Sequence, residues 1–82
     1  MTRRVEFRPA AARNLLALDR LVQSRILAAV TRYATTGHGD IKPLRGRPGD
    51  FRLRVGKWRV FFRQDHADLM LLTGIDNRGE AY

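Results

Sequence analysis

Arginine supplies most of the residues in this sequence that could do chemistry. Arg52, Arg54, Arg59 and Arg63 stand in the stretch FRLRVGKWRVFFR, with Arg78 and Tyr82 further along the chain. Guanidinium groups stay charged and hold phosphate in bidentate fashion. Several arranged round one phosphate stabilise the extra charge of a pentacoordinate transition state. RNA brings its own nucleophile, the 2′-OH, so cleaving it requires positioning, charge stabilisation and proton transfer, with no metal. The phenol of Tyr82, ordinarily titrating near pH ~10, takes part in that transfer only where arginines lower its pKa. The same residue types serve binding equally well, so chemistry and binding both stay open at this point.

Other chemistries have little to work with. There is no Gly-rich phosphate loop, no HExxH and no paired carboxylate motif. Ser24 is the sole serine and falls in a helical stretch. His38 lies between glycines and His66 in a polar segment, so both read as turn residues rather than ligands. No metal site and no cofactor are expected. Cysteine is absent, which excludes disulfides and thiolate zinc sites.

Gly56-Lys57 splits the arginine stretch into a two-strand hairpin. Glycine first in a two-residue loop suits a type II′ turn. That turn sets Val55 opposite Trp58, Arg54 opposite Arg59, Leu53 opposite Val60 and Arg52 opposite Phe61. Side chains alternate along a strand. Phe51, Leu53, Val55, Trp58, Val60 and Phe62 therefore share a core face, and Arg52, Arg54, Arg59, Phe61 and Arg63 share an open one. Like charges directly opposite each other destabilise a sheet by a fraction of ~1 kcal/mol per pair. An anion would relieve the opposition of Arg54 and Arg59, and a polyanion whose bases stack on Phe61 fits best.

The charge balance agrees. The 82 residues carry a net charge of +8. Lys42 to Arg63 holds eight bases (Lys42, Arg45, Arg47, Arg52, Arg54, Lys57, Arg59, Arg63) against Asp50 alone, +7 in one stretch. Such clustering favours nucleic acid, an acidic protein partner or an anionic surface. Arg45, Arg47, Lys57, Phe61 and Arg63 are the expected RNA-binding residues around the arginine core of the site. No apolar run approaches the ~20 residues that span a bilayer, and MTRRVEF lacks the apolar core of a signal peptide. No membrane partner and a cytoplasmic location are expected.

The elements that position these residues form a single domain over 1–82. Arg3 to Phe7 reads as a short strand. Pro9 suits a first helical turn. Leu15, Leu18, Val22, Ile26, Val30 and Tyr33 recur at helical spacing, with Asp19 as an N-cap, giving helices over Pro9–Leu18 and Arg20–Thr35, with a single long helix as the alternative. Gly37 ends the second. Ile41 to Leu44 reads as an edge strand because of Pro43. Leu69 to Ile75 is a final, central strand, with Leu69, Leu71, Thr73 and Ile75 on one face and Met70 and Leu72 on the other. The order predicts an α+β fold, with an N-terminal strand and a helical hairpin packed on one face of a small, mostly antiparallel sheet.

Over nearly the whole chain, VEFRPAAARNLLALD, QSRIL, GHGDIKPLRGRPGDFRLRVGKWRVFF and the closing RGEAY resemble the RelE/ParE toxins of type II toxin–antitoxin systems, specifically the RelE-like mRNA interferase branch. The resemblance implies the same α+β fold and a ribosome-dependent endoribonuclease that cuts mRNA in the ribosomal A site. The 2′-OH attacks the adjacent phosphate and leaves a 2′,3′-cyclic phosphate. It implies Arg52, Arg54, Arg59, Arg78 and Tyr82 as catalytic residues, and a cognate acidic antitoxin as partner. Many relatives carry histidine where this chain has Asn77, whose amide cannot act as a general acid. ParE-like relatives share the fold but inhibit DNA gyrase by binding, and that is the alternative; the five residues together favour the ribonuclease.

Overall fold

A computed structural model describes residues 2–77. In chain order the elements are β1 (Arg4–Phe7), α1 (Pro9–Leu16), α2 (Arg20–Thr36), β2 (Asp40–Pro43), β3 (Asp50–Val55), β4 (Trp58–Arg63) and β5 (Leu69–Asn77). The five strands form one sheet in the order β1-β5-β4-β3-β2. β1 runs parallel to β5, and every other pair is antiparallel. The expected α+β architecture is therefore present, with β2 at an edge and β5 internal.

Local chemistry accounts for the helix ends. Pro9 opens α1, and the Asp19 side chain accepts the Val22 N–H at 3.0 Å to cap α2. Gly37 closes α2 at φ 77, its N–H donating to the Tyr33 carbonyl. α1 stops at Leu16, two residues short of expectation, because Ala17 and Leu18 turn the chain back toward Asp19. Arg3 then anchors the chain start to the C-terminal end of α2. Its backbone N–H donates to the Ala34 carbonyl, its Nη1 donates to the Tyr33 carbonyl at 3.2 Å, and its guanidinium lies 4.7 Å from the Tyr33 ring centre. A cation there also complements the negative end of the helix dipole.

The hairpin register is the one the turn predicts: Val55–Trp58, Arg54–Arg59, Leu53–Val60 and Arg52–Phe61 are cross-strand partners. Gly56 has φ 60, and among the described residues none other than glycine has positive φ, so the turn is not of the type I′ kind that needs two such residues. Leu53, Val55, Val60 and Phe62 are buried beneath the helices with Ile26, Val30 and Tyr33. Phe51 and Trp58 are half-buried against the same core. Phe62 is its largest fully buried side chain and lies 5.6 Å from Phe51 and 5.4 Å from Tyr33, ring centre to ring centre.

β5 departs from simple alternation. Phe61 pairs with Gly74 but Phe62 pairs with Leu72, so Thr73 is an extra residue on β5. An extra residue shifts the side-chain phase by one. Met70, Leu72 and Ile75 are all buried in the core as a result, although strict alternation assigned Ile75 to the face of Leu69 and Leu71. β1 pairs only with Leu69 to Leu72. Beyond it, the Asn14 side chain on α1 accepts the Ile75 N–H at 3.1 Å, standing in for the missing strand.

Two variants measure these contributions. Phe62→Ala should lose ~3–5 kcal/mol in urea unfolding, through lost burial and a cavity. Asn14→Ala leaves the half-buried Ile75 amide without its acceptor and should lose ~1–3 kcal/mol. An Asn14→Ala melt equal to the parent would show that the bulge is held by packing alone.

Candidate active site

The open face of β3 and β4 carries the arginines in the expected order. Register and alternation put Arg52, Arg54, Arg59, Phe61 and Arg63 on the side away from the helices. The expectation of an unrelieved +7 stretch does not hold in three dimensions. Asp40 on β2 is the cross-strand partner of Arg54, and its carboxylate lies 3.7 Å from both Arg52 and Arg54. Asp76 on β5 is the partner of Arg59 and accepts two hydrogen bonds from it, from Nε at 2.8 Å and Nη2 at 3.1 Å. Each of the two opposed arginines thus has a carboxylate on its outer flank, supplied by a neighbouring strand. Asp40 and Asp76 lie outside the basic stretch in sequence. Carrying the hairpin register one strand further on each side would have found them.

These ion pairs orient the guanidinium groups. Bidentate Arg–carboxylate pairing fixes a plane as well as a position. The side chains of Arg52 and Arg59 are only 15% and 16% exposed, whereas Arg54 retains 46%. Arg52 Nη1 is buried and makes no hydrogen bond; the nearer Asp40 oxygen is beyond hydrogen-bond range. A buried donor left unmade is unusual and costly.

The other expected contacts spread more widely. Arg63 donates from Nε to Asp65 at 2.8 Å and from Nη1 to Asp50 at 3.1 Å. Its pKa is raised by the hydrogen bond to Asp65 and then that to Asp50, which bind the charged form. Gly49 is required there: its φ is +87, and a Cβ would stand 3.0 Å from Asp65 Oδ1. Arg45 and Arg47 are exposed in the loop between β2 and β3, and Lys57 at the hairpin tip lies 5.8 Å from the Trp58 ring. Phe61 is half-buried, with the Arg59 guanidinium 5.7 Å from its ring centre. Arg78 and Tyr82 fall outside the described residues. β5 does lie beside the hairpin, and its Asp76 and Asn77 pair with Arg59 and Trp58. His38 and His66 are exposed, and among the described residues no three of His, Cys, Asp and Glu are placed to hold a metal ion. No described helix is long and apolar enough to cross a membrane.

No protein-family model matches the sequence, and no curated protein matches it. Solved structures do. The chain resembles the RelB–RelE antitoxin–toxin complex of Methanococcus jannaschii, at 18% identity over 94% of each chain with a TM-score of 0.75. It also resembles the archaeal RelE–RelB complex of Pyrococcus horikoshii OT3, at 21% identity over 96% of this chain and 98% of that one, again at 0.75. Both likenesses establish the fold. The RelBE2 toxin–antitoxin complex of Mycobacterium tuberculosis is 31% identical over 95% of this chain and 93% of its counterpart, with a TM-score of 0.66. The chain belongs to the RelE-like toxin family.

Asp76→Asn tests the electrostatic role of the flanking acids. It should lower stability at low ionic strength by no more than ~1 kcal/mol, as for an exposed ion pair. The deficit should shrink as salt screens the Arg54–Arg59 repulsion. A deficit unchanged between low and moderate salt in thermal melts would mean that Asp76 acts by packing.

Proposed function

We propose that this chain is the toxin of a type II toxin–antitoxin pair and a ribosome-dependent endoribonuclease that cuts mRNA in the A site. The open face of the hairpin, where Arg54 opposes Arg59 across β3 and β4 with Arg52 beside them and Asp40 and Asp76 on the outer flanks, is the observation that carries the reading. The scissile phosphate lies against the charges of Arg52, Arg54 and Arg59. The 2′-oxygen attacks phosphorus and forms the O2′–P bond. The P–O5′ bond breaks, leaving a 2′,3′-cyclic phosphate and a 5′-hydroxyl. The proton of the 2′-OH goes to a base, and the departing 5′-oxygen takes up a proton. The negative charge that builds on the non-bridging oxygens is met by guanidinium groups already held in place by Asp40 and Asp76. Preorganised charge of that kind needs no rearrangement at the moment of reaction. Arg78 and Tyr82 complete the proposed site, with Tyr82 as the proton-transfer group because Asn77 cannot fill that role. The proposed partners are mRNA, the ribosome and an acidic antitoxin, and the proposed location is the cytoplasm.

The deciding experiment is mRNA cleavage on programmed ribosomes beside a DNA gyrase supercoiling assay. Cleavage with no effect on gyrase is expected; gyrase inhibition without cleavage would falsify the ribonuclease reading. Arg59→Ala should slow cleavage by ~10²–10³-fold, as for loss of one transition-state donor, while changing stability by no more than ~1 kcal/mol. Tyr82→Phe removes only the hydroxyl. It should lower single-turnover cleavage sharply while leaving ribosome binding intact, and an unchanged rate would take the phenol out of the mechanism.

A further inference from the structure

We infer that Asp40 is a displaceable counter-ion: in the free protein its carboxylate occupies the seat between Arg52 and Arg54 that a phosphate of the bound RNA takes over. The inference rests on the ribonuclease reading and adds a self-inhibiting contact to the same face.

The two flanking acids differ in how they hold their arginines. Asp76 accepts two hydrogen bonds from Arg59, at 2.8 Å and 3.1 Å, in the bidentate geometry that fixes a guanidinium plane. Asp40 divides its oxygens. Oδ1 lies 3.7 Å from Arg52 Nη1, and Oδ2 lies 3.7 Å from Arg54 Nε. Neither distance is that of a hydrogen bond. The contact is therefore Coulombic only, and the Asp40 side chain is 50% exposed. An exposed pair of that kind contributes little stability, so another anion displaces it readily.

Chemistry and surroundings favour a phosphate as the replacement. A phosphodiester carries one negative charge on two non-bridging oxygens, as a carboxylate does on its own two. It presents the same pair of acceptors to two cations. Lys42 is the cross-strand partner of Arg52, and alternation puts it on the same face. With Asp40 turned away, three cations stand together and attract an anion. The backbone does not have to move. Asp40 stays paired with Arg54 across β2 and β3, and its side chain alone rotates. A cleft of about 320 Å³ beside it, with Ala28, His38 and Gly39 in its lining, gives the carboxylate room. The exchange belongs to RNA binding, so Arg52 and Arg54 enter the chemical step already oriented. Affinity for RNA is lower as a result, because every phosphate must first expel Asp40.

The test is fluorescence anisotropy with a labelled RNA hexamer of 2′-O-methyl riboses, which has no 2′-OH and cannot be cut. Asp40→Asn should bind it roughly two- to thirtyfold tighter than the parent, the span of removing two exposed ion pairs that compete with it. Asp68→Asn adds the same unit of charge at an exposed position just before β5. It should change affinity far less, because salt screens a charge outside the face. Carboxyl-carbon NMR of the unmutated protein gives a reading independent of any variant's folding. Saturating RNA should move the Asp40 resonance toward that of a solvated aspartate. Parent-like or weaker binding by folded Asp40→Asn, an equal gain with Asp68→Asn, an unmoved Asp40 resonance, or no RNA binding at all overturns the inference. None of these measurements needs a ribosome. A gain specific to Asp40→Asn in a protein that cuts no mRNA refutes the ribonuclease reading and leaves the displaceable acid standing. Cleavage of mRNA with no such gain removes the role of Asp40 alone.

Discussion

Arg54 and Arg59 face each other across the central hairpin, and the arginine face depends on how that repulsion is met. The hairpin cannot avoid it. The Gly56 turn sets the register, and a slip of one residue would turn Leu53, Val60 and Phe62 out of the core. The charges are instead balanced from outside the hairpin, by Asp40 on β2 and Asp76 on β5. The sheet order is thus an electrostatic arrangement as well as a topological one. It places two basic strands in the middle and one acid on each flank. The arginines that result are held rather than mobile, and Arg52 keeps an unmade donor among them.

The bulge at Thr73 links the core to the site. On the helix side it brings Ile75 into line with Met70 and Leu72, so β5 keeps burying apolar surface after its phase has changed. It also makes Gly74 the strand partner of Phe61, beside a cleft that both residues line. Asn14 makes the irregularity tolerable by accepting the Ile75 N–H where β1 no longer reaches. Helix α1 therefore supports the arginine face from behind, through the core residues Ala11 and Leu15 and the Asn14 hydrogen bond.

Much was legible along the chain because it depended on local rules. Glycine before lysine set the hairpin turn, period-two alternation separated core from arginine face, and Pro9, Asp19 and Gly37 marked helix ends. These signals act over a few residues, so the fold class and the Arg52, Arg54 and Arg59 face could be read directly. The phase change in β5 was harder. Gly74 inside a strand is a known mark of a bulge, but which residue becomes the extra one depends on how β4 and β5 meet.

The sequence by itself therefore determined the hairpin, its register, the helical hairpin over it and the sign of the open face. Only the tertiary structure decided which acids stand beside which arginines, that Arg52 and Arg59 are largely covered, and where a cleft opens beside Phe61. The physical reason is range. Turn chemistry and alternation are properties of neighbours in the chain, whereas the Arg59–Asp76 pair closes over seventeen residues and the Asn14–Ile75 bond over sixty-one. Contacts of that separation exist only once the strands have found their order in the sheet.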